Sequence, residues 1–273
     1  MIGFLGSGNM ARAIVAGLVA NDYDPSDIVV SSRDPRNAEK LAHATGVDFA
    51  QSNEELVSMI GYDGTLVLAV KPNMIPGVLE PLYADLAETS ILVVSVAAGT
   101  SLGFLESHLP DGQAVVRVMP NVNSQIGAGM SGICGNEAAT EEQLDSVFAM
   151  FDSIGEVARI AEKEFPAFSA IAGCSPSYTF GYIEALARGA VANGIPKHQA
   201  VRIAAQAVLG SAQMVLEKAG EGLTPANLRD TVSSPGGTTI AGVIAMEDAG
   251  FSASVVRGVQ ASIDRDIAIQ RGE

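Results

Sequence analysis

The stretch Ile2-Gly3-Phe4-Leu5-Gly6-Ser7-Gly8-Asn9-Met10-Ala11 decides the fold of this chain. A short apolar run ends in the pattern G-x-G-x-x-A. Ile14, Leu18 and Val19 then recur on one side of residues 9–20, as on a helix. Strand, glycine turn and helix in that order are the setting in which a dinucleotide's pyrophosphate is held. Gly6 permits the tight turn, Gly8 lets the pyrophosphate approach the backbone, and a small residue at Ala11 lets helix and strand pack closely. The start of the helix offers free N–H groups and the positive end of its dipole. Gly6, Ser7, Gly8, Asn9 and Met10 are therefore expected to cradle the phosphates.

Outward from this motif the chain alternates. DIVVSS (27–32), TLVLAV (65–70), SILVVSV (90–96) and AVVRVM (114–119) are continuous apolar runs, the form strands take when both faces of a parallel sheet are covered. Between the runs lie helix-like segments. Residues 35–45, for example, have Pro35 at the first helical position and Gly46 just past the end. Repeated strand–helix–strand order implies right-handed crossovers and a doubly wound α/β sheet.

From residue 164 onward no strand is evident. Residues 177–193, 197–219 and 252–270 read as helices, with Gly194-Ile195-Pro196 marking a break. The boundary is expected near Glu162–Pro166, giving domains 1–163 and 164–273. Charge divides the same way: residues 1–163 hold 8 basic and 21 acidic side chains, a net −13, and residues 164–273 hold 8 and 10, a net −2. The low charge and the Ala/Gly content of the second part fit either a buried partner surface or an ordinary internal core.

The whole chain carries −15 over 273 residues, which disfavours nucleic acid and anionic membrane surfaces as partners. Mean hydropathy is +0.27, but the uncharged stretches 118–136 and 165–183 are broken by Pro, Asn, Gln, Ser and Gly, so neither reads as a spanning helix. The N-terminus lacks the basic segment of a signal peptide. Cys134 and Cys174 fit neither a disulfide framework nor a zinc site, and His43, His108 and His198 are scattered. A soluble, cytoplasmic protein without metal is expected.

In such a sheet, ligands bind at the carboxyl ends of strands. The second run ends Val30-Ser31-Ser32-Arg33, with no carboxylate at the place where one would bond the ribose 2′-OH of NAD. Ser32 and Arg33 suit a 2′-phosphate instead, which predicts NADPH over NADH, with NADH still possible. Asp34 could pair with Arg33 and blunt it. Ala69-Val70-Lys71-Pro72-Asn73 is expected to line the ligand loop after the run at 65–70, with Lys71 as a phosphate or hydrogen-bond contact and Pro72 stopping the strand. Ala97 in Ala97-Ala98-Gly99, Met119-Pro120-Asn121 and Asn53 are placed near the same ligand.

Val232-Ser233-Ser234-Pro235-Gly236-Gly237-Thr238-Thr239 is the most unusual string of the second part. A hydroxyl here could simply cap the helix that follows. Alternatively Gly236 and Gly237 let the backbone approach a small anion held on free N–H groups, with Thr239 bonding a reacting atom.

With these motifs the chain resembles the pyrroline-5-carboxylate reductase family. The resemblance rests on GSGNMA (6–11), AVKPN (69–73), VSVAAG (94–99) and, most specifically, LRDTVSSPGGTTIAGVIAMEDAG (228–250). It implies a Rossmann-type nucleotide domain followed by an all-α dimerisation domain. It also implies reduction of the cyclic imine 1-pyrroline-5-carboxylate to L-proline, the last step of proline biosynthesis, with NADPH or NADH. The substrate carboxylate would sit around Ser234, Gly237 and Thr238, with Val232, Ser233 and Gly236 in the same turn, and Thr239 would hydrogen-bond the ring nitrogen. Homodimers through interlocked helical domains are implied, and assembly up to decamers. The chain departs from the family at Ala172-Gly173-Cys174-Ser175-Pro176-Ser177-Tyr178, where Ser-Gly-Ser-Gly-Pro-Ala-Tyr is usual.

Reducing an iminium needs an anion cradle, a partner at nitrogen and no strong base. The lack of a well-placed His or Lys in the second part argues against an alcohol dehydrogenation. Another NADP-dependent imine or 3-hydroxyacid reductase, or a non-catalytic NADP-binding regulator, remain the alternatives.

Overall fold

In the computed structural model, which describes residues 1–271, the apolar runs form one eight-stranded sheet. Its strands are β1 (Ile2–Leu5), β2 (Ile28–Ser31), β3 (Asp48–Phe49), β4 (Thr65–Leu68), β5 (Leu92–Ser95), β6 (Val115–Met119), β7 (Gly129–Gly135) and β8 (Gly155–Arg159). They lie in the order β3-β2-β1-β4-β5-β6-β7-β8. β1 to β6 are mutually parallel, β7 runs against β6, and β8 is parallel to β7. Strand order reverses between β1 and β4, so the carboxyl ends of β1, β2 and β4 gather at a topological switch point.

Strand side chains alternate between two cores, as a two-residue period requires. Phe4, Ile28, Val30, Val67, Val94 and Val116 face one side. There they meet Ile14, Val15 and Leu18 of α1 (Asn9–Ala20), Ala38 and Leu41 of α2 (Pro35–Thr45), and Val147 and Phe151 of helix Glu141–Asp152. Leu5, Val29, Leu66, Leu68, Val93 and Val115 face the other side. They pack on Leu56, Val57 and Ile60 of α3 (Asn53–Ile60) and on short helical turns between Ile75 and Leu109. Both faces are therefore covered, and the doubly wound α/β reading of the first part holds.

Strands β3, β7 and β8 carry no apolar run in the sequence and are additions to the five read there. Helices at 9–20, 35–45 and 197–219 have the expected bounds, and those expected at 177–193 and 252–270 are Ser175–Ala192 and Phe251–Gln270.

The chain separates into two compact units. One comprises residues 1–173 together with the C-terminal segment from Ser262, and the other is Cys174–Ala261. The expected division at 163/164 lies ten residues before this one, and the expected second domain ran on to residue 273, whereas the segment from Ser262 groups with the first unit. The second unit is helical and buries little of its own apolar surface. Pro176 and Ala187 are the buried residues of helix Ser175–Ala192, Ala200 and Ala204 those of helix Lys197–Ala219, and helix Thr238–Asp248 buries none. Leu209, Ile244 and Val256 are all more than half exposed. No single helix among the described residues is long and apolar enough to cross a membrane.

Candidate functional site

The first cluster of candidate residues sits at the switch point. The Gly6 N–H donates to the Ser31 carbonyl at 2.9 Å, tying the end of β1 to the end of β2. Gly6 has φ +111, and a Cβ there would lie 2.5 Å from the Ala69 carbonyl oxygen, so this position requires glycine on two counts. Gly8 begins α1 in extended conformation without a side-chain cap. A Cβ at Gly8 would meet nothing within 4 Å, so no neighbouring atom of the chain requires glycine here. Arg12 reaches back from the first turn of α1, as helical side chains do, and its Nε donates to the Ser7 carbonyl at 3.1 Å.

A cavity of about 470 Å³ opens beside this turn. Of the candidate cofactor residues it is lined by Gly6, Ser32, Arg33, Asn53, Ala69, Val70 and Lys71. Ser7, Gly8, Asn9 and Met10 shape the turn and the first helical residues without lining the cavity. Pro72 opens a short turn closed by the Met74 N–H on the Lys71 carbonyl, 2.9 Å. Ala97 is buried in the next loop, its carbonyl accepting from Thr100 Oγ1 at 2.7 Å.

Asn53 accepts from the buried Ser31 hydroxyl at 2.9 Å, which fixes it at the end of β2. Asp34, Asn37, Met74, Gly77 and Val78 also line the cavity. Asn37 could have been found as the next turn of α2 beyond Asp34. Met74, Gly77 and Val78 carry no polar signal at all.

The suspected pairing of Asp34 with Arg33 does not occur. Asp34 Oδ1 accepts from the Arg36 backbone N–H at 3.2 Å and caps α2. Its two oxygens take Arg36 Nε at 2.9 Å and Nη2 at 2.8 Å. The Arg36 guanidinium holds the Asp34 carboxyl below the usual carboxylate range. Arg33 is exposed at the cavity rim.

These residues fit a dinucleotide. Space stands open in front of Gly8, uncapped N–H groups begin α1, and the cationic side chains of Arg33 and Lys71 border the cavity.

The second cluster is in the helical unit. Ser234-Pro235-Gly236-Gly237 makes a tight turn closed by the Gly237 N–H on the Ser234 carbonyl, 3.0 Å. Gly236 has φ +68, the positive value that a type II turn needs after proline. Ser234 Oγ stands over Gly237 so closely that a Cβ there would come within 2.3 Å of it. Helix Thr238–Asp248 then begins with no side-chain cap. No hydroxyl of this string caps the helix, and its first N–H groups have no intrahelical acceptor. Ser234, Gly236, Thr238 and Thr239 are exposed and Gly237 half-buried. Val232 is exposed, and Ser233 turns its hydroxyl back onto the Arg229 carbonyl at 2.8 Å.

At the departure from the usual family string, Ser169–Gly173 forms a π-helical turn whose Ala172 carbonyl accepts from buried Asn121 Nδ2 at 2.9 Å. Cys174 is half-buried, whereas Cys134 is buried, and burial pushes its thiol up to about 11.

Residues 162–269 match the family described as pyrroline-5-carboxylate reductase dimerisation, and residues 1–99 match NADP oxidoreductase, coenzyme F420-dependent. Among curated relatives, the pyrroline-5-carboxylate reductase of Escherichia coli K12 is 38% identical, over 97% of this chain and 96% of its own length. That of Arabidopsis thaliana is 36% identical, over 97% and 93%. The solved enzyme of Coxiella burnetii superposes with a TM-score of 0.90 at 34% identity, over 98% of this chain and 97% of that one. The Plasmodium falciparum enzyme, solved with NADP bound, superposes with a TM-score of 0.85 at 28% identity and the same coverage. The chain belongs to the pyrroline-5-carboxylate reductase family.

Proposed function

We propose that this chain, an NADPH-dependent reductase of pyrroline-5-carboxylate, divides the chemistry of proline formation between two groups of its own residues. In the first, Gly6, Ser7, Gly8, Asn9 and Met10 hold the pyrophosphate on the free N–H groups that begin α1. Ser32 and Arg33 take the 2′-phosphate, with Asn53 behind them. Ala69, Val70, Lys71, Pro72 and Ala97 complete the cofactor contacts. NADPH, when bound, supplies the hydride.

In the second group, the turn Val232-Ser233-Ser234 with Gly236, Gly237 and Thr238 holds the substrate carboxylate. The start of helix Thr238–Asp248 adds a modest dipole contribution, about 0.3–1 kcal/mol where exposed and up to ~2 where partly buried. Thr239 hydrogen-bonds the ring nitrogen and orients the C=N bond. The iminium carbon receives the hydride and the nitrogen keeps its proton, leaving a secondary amine. No residue has to remove a proton from a carbon or an alcohol, and the turn holds no strong base. The observation that carries this reading is the Ser234–Gly237 turn opening on an uncapped helix start.

The helical unit is a dimerisation domain, and we place its exposed apolar face against a second copy of the chain. Free Cys134 and Cys174 support a reducing, cytoplasmic setting. The test is cofactor oxidation by the purified chain with pyrroline-5-carboxylate, using NADPH and NADH separately. Proline should form in step with NADPH consumed, faster than with NADH. Absence of proline overturns the reading.

A further inference from the structure

Between the end of β2 and the first turn of α2 lie three charges in four residues: Arg33, Asp34 and Arg36. Arg33 and Asp34 both line the nucleotide cavity. A carboxylate at this edge is a liability for a phosphate ligand. It repels the phosphate and it can pair with the neighbouring guanidinium. We propose that Arg36 is a positioning residue for cofactor choice, clamping the Asp34 carboxylate so that Arg33 stays available to the 2′-phosphate.

The clamp is bidentate, Nε to Oδ1 at 2.9 Å and Nη2 to Oδ2 at 2.8 Å, so both carboxylate oxygens are engaged from one side. The backbone N–H of Arg36 binds Oδ1 as well, which makes the contact part of the cap of α2 and fixes where the carboxylate points. Both side chains are exposed, at 81% for Arg36 and 42% for Asp34, so the pair adds little to stability. Its effect is on local charge. With Arg36 the three residues sum to one positive charge, and without it Arg33 and Asp34 cancel.

This inference rests on the reading that Arg33 meets the 2′-phosphate, and the experiment separates the two. Steady-state kcat/KM for NADPH and for NADH is measured on Arg36→Gln, Asp34→Asn, the double variant and Arg33→Ala, with thermal melts confirming that each is folded. Asparagine still caps a helix, so Asp34→Asn removes the charge and keeps α2. Arg36→Gln should lower kcat/KM for NADPH roughly threefold to tenfold, through KM, the size of one partly screened charge beside a phosphate. NADH should change little. Adding Asp34→Asn to Arg36→Gln should restore NADPH to within about twofold, because the unclamped carboxylate is gone. An unchanged NADPH/NADH ratio in Arg36→Gln overturns the clamp. So does a double variant that fails to recover, since Arg36 would then act on the phosphate itself. If Arg33→Ala leaves the ratio unchanged, the reading of Arg33 fails and the clamp with it.

Discussion

Gly6 and Ala69 meet across the switch point of the sheet: a Cβ on Gly6 would come within 2.5 Å of the Ala69 carbonyl oxygen, and Gly6 has φ +111. The contact joins the end of β1 to the end of β4, and the cavity at the switch point opens beside it. Two residues further on, Gly8 has the opposite character, with ordinary extended φ of −73 and empty space where a Cβ would go. One position is closed to any side chain by the fold, and the other stands open.

That difference is measurable. Gly6→Ala should lower stability by about 2–3 kcal/mol, from backbone strain plus the clash, which for a chain of this size is a drop in Tm of roughly 4–12 °C. Gly8→Ala should leave Tm within about 1 °C and raise KM for NADPH and NADH alike by roughly tenfold, since pyrophosphate is common to both. Equal melting losses in the two variants would remove the distinction.

Thr239→Val keeps the shape of the side chain and removes its hydroxyl. If Thr239 bonds the ring nitrogen, kcat/KM for pyrroline-5-carboxylate should fall about 10- to 1000-fold, the range for one oriented hydrogen bond in the reacting complex. Cofactor affinity, measured by NADPH fluorescence, should stay within about twofold. Unaltered turnover would show that another group holds the nitrogen.

Cys134 offers a check on the sheet itself. Burial, with Glu162 adding to it, pushes its thiol up to about 11. At pH 8 the thiolate fraction is then of order one in a thousand, and the sulfur is shielded. Iodoacetamide at that pH should leave Cys134 unlabelled in the folded chain and label it after denaturation, read by peptide mass spectrometry. Rapid labelling of the folded chain would place β7 differently.

How far the sequence could be read differs from element to element, for physical reasons. The apolar runs at β1, β2, β4, β5 and β6 were legible because both sheet faces are covered. β7 was not, because Gly129-Met130-Ser131-Gly132-Ile133-Cys134-Gly135 has the composition of a loop. Its glycines are there for close approach: a Cβ at Gly132 would come within 2.7 Å of Ile160 and 2.9 Å of Phe168. At the site, Ser32 and Arg33 could be read from their place at a strand end. Which arginine Asp34 takes could not, since Arg33 and Arg36 are both within reach along the chain and only the start of α2 decides it. The apolar cavity wall at Met74, Gly77 and Val78 sends no chemical signal. The helical half left open whether its apolar residues make a core of its own. Exposure of Leu209, Ile244 and Val256 within one chain answers that they do not.

Leu209, in the middle of helix Lys197–Ala219, is 52% exposed in the single chain, and the dimer proposed above places this surface against a second copy. A symmetric interface carries each substitution twice, and burial of one leucine is worth about 1.5–3 kcal/mol, so Leu209→Asp should cost roughly 3–6 kcal/mol per dimer. That weakens association more than about a hundredfold, before the added cost of burying a carboxylate. Light scattering should show the wild-type chain at twice its own mass or a multiple of that, and the variant shifting toward the monomer on dilution. The wild-type Tm should rise with protein concentration, because assembly stabilises the folded chain by mass action, and this dependence should weaken in the variant. A variant with unaltered mass across the dilution series would mean that Leu209 stays in water in the assembly, and that the copies meet on another face of the helical unit.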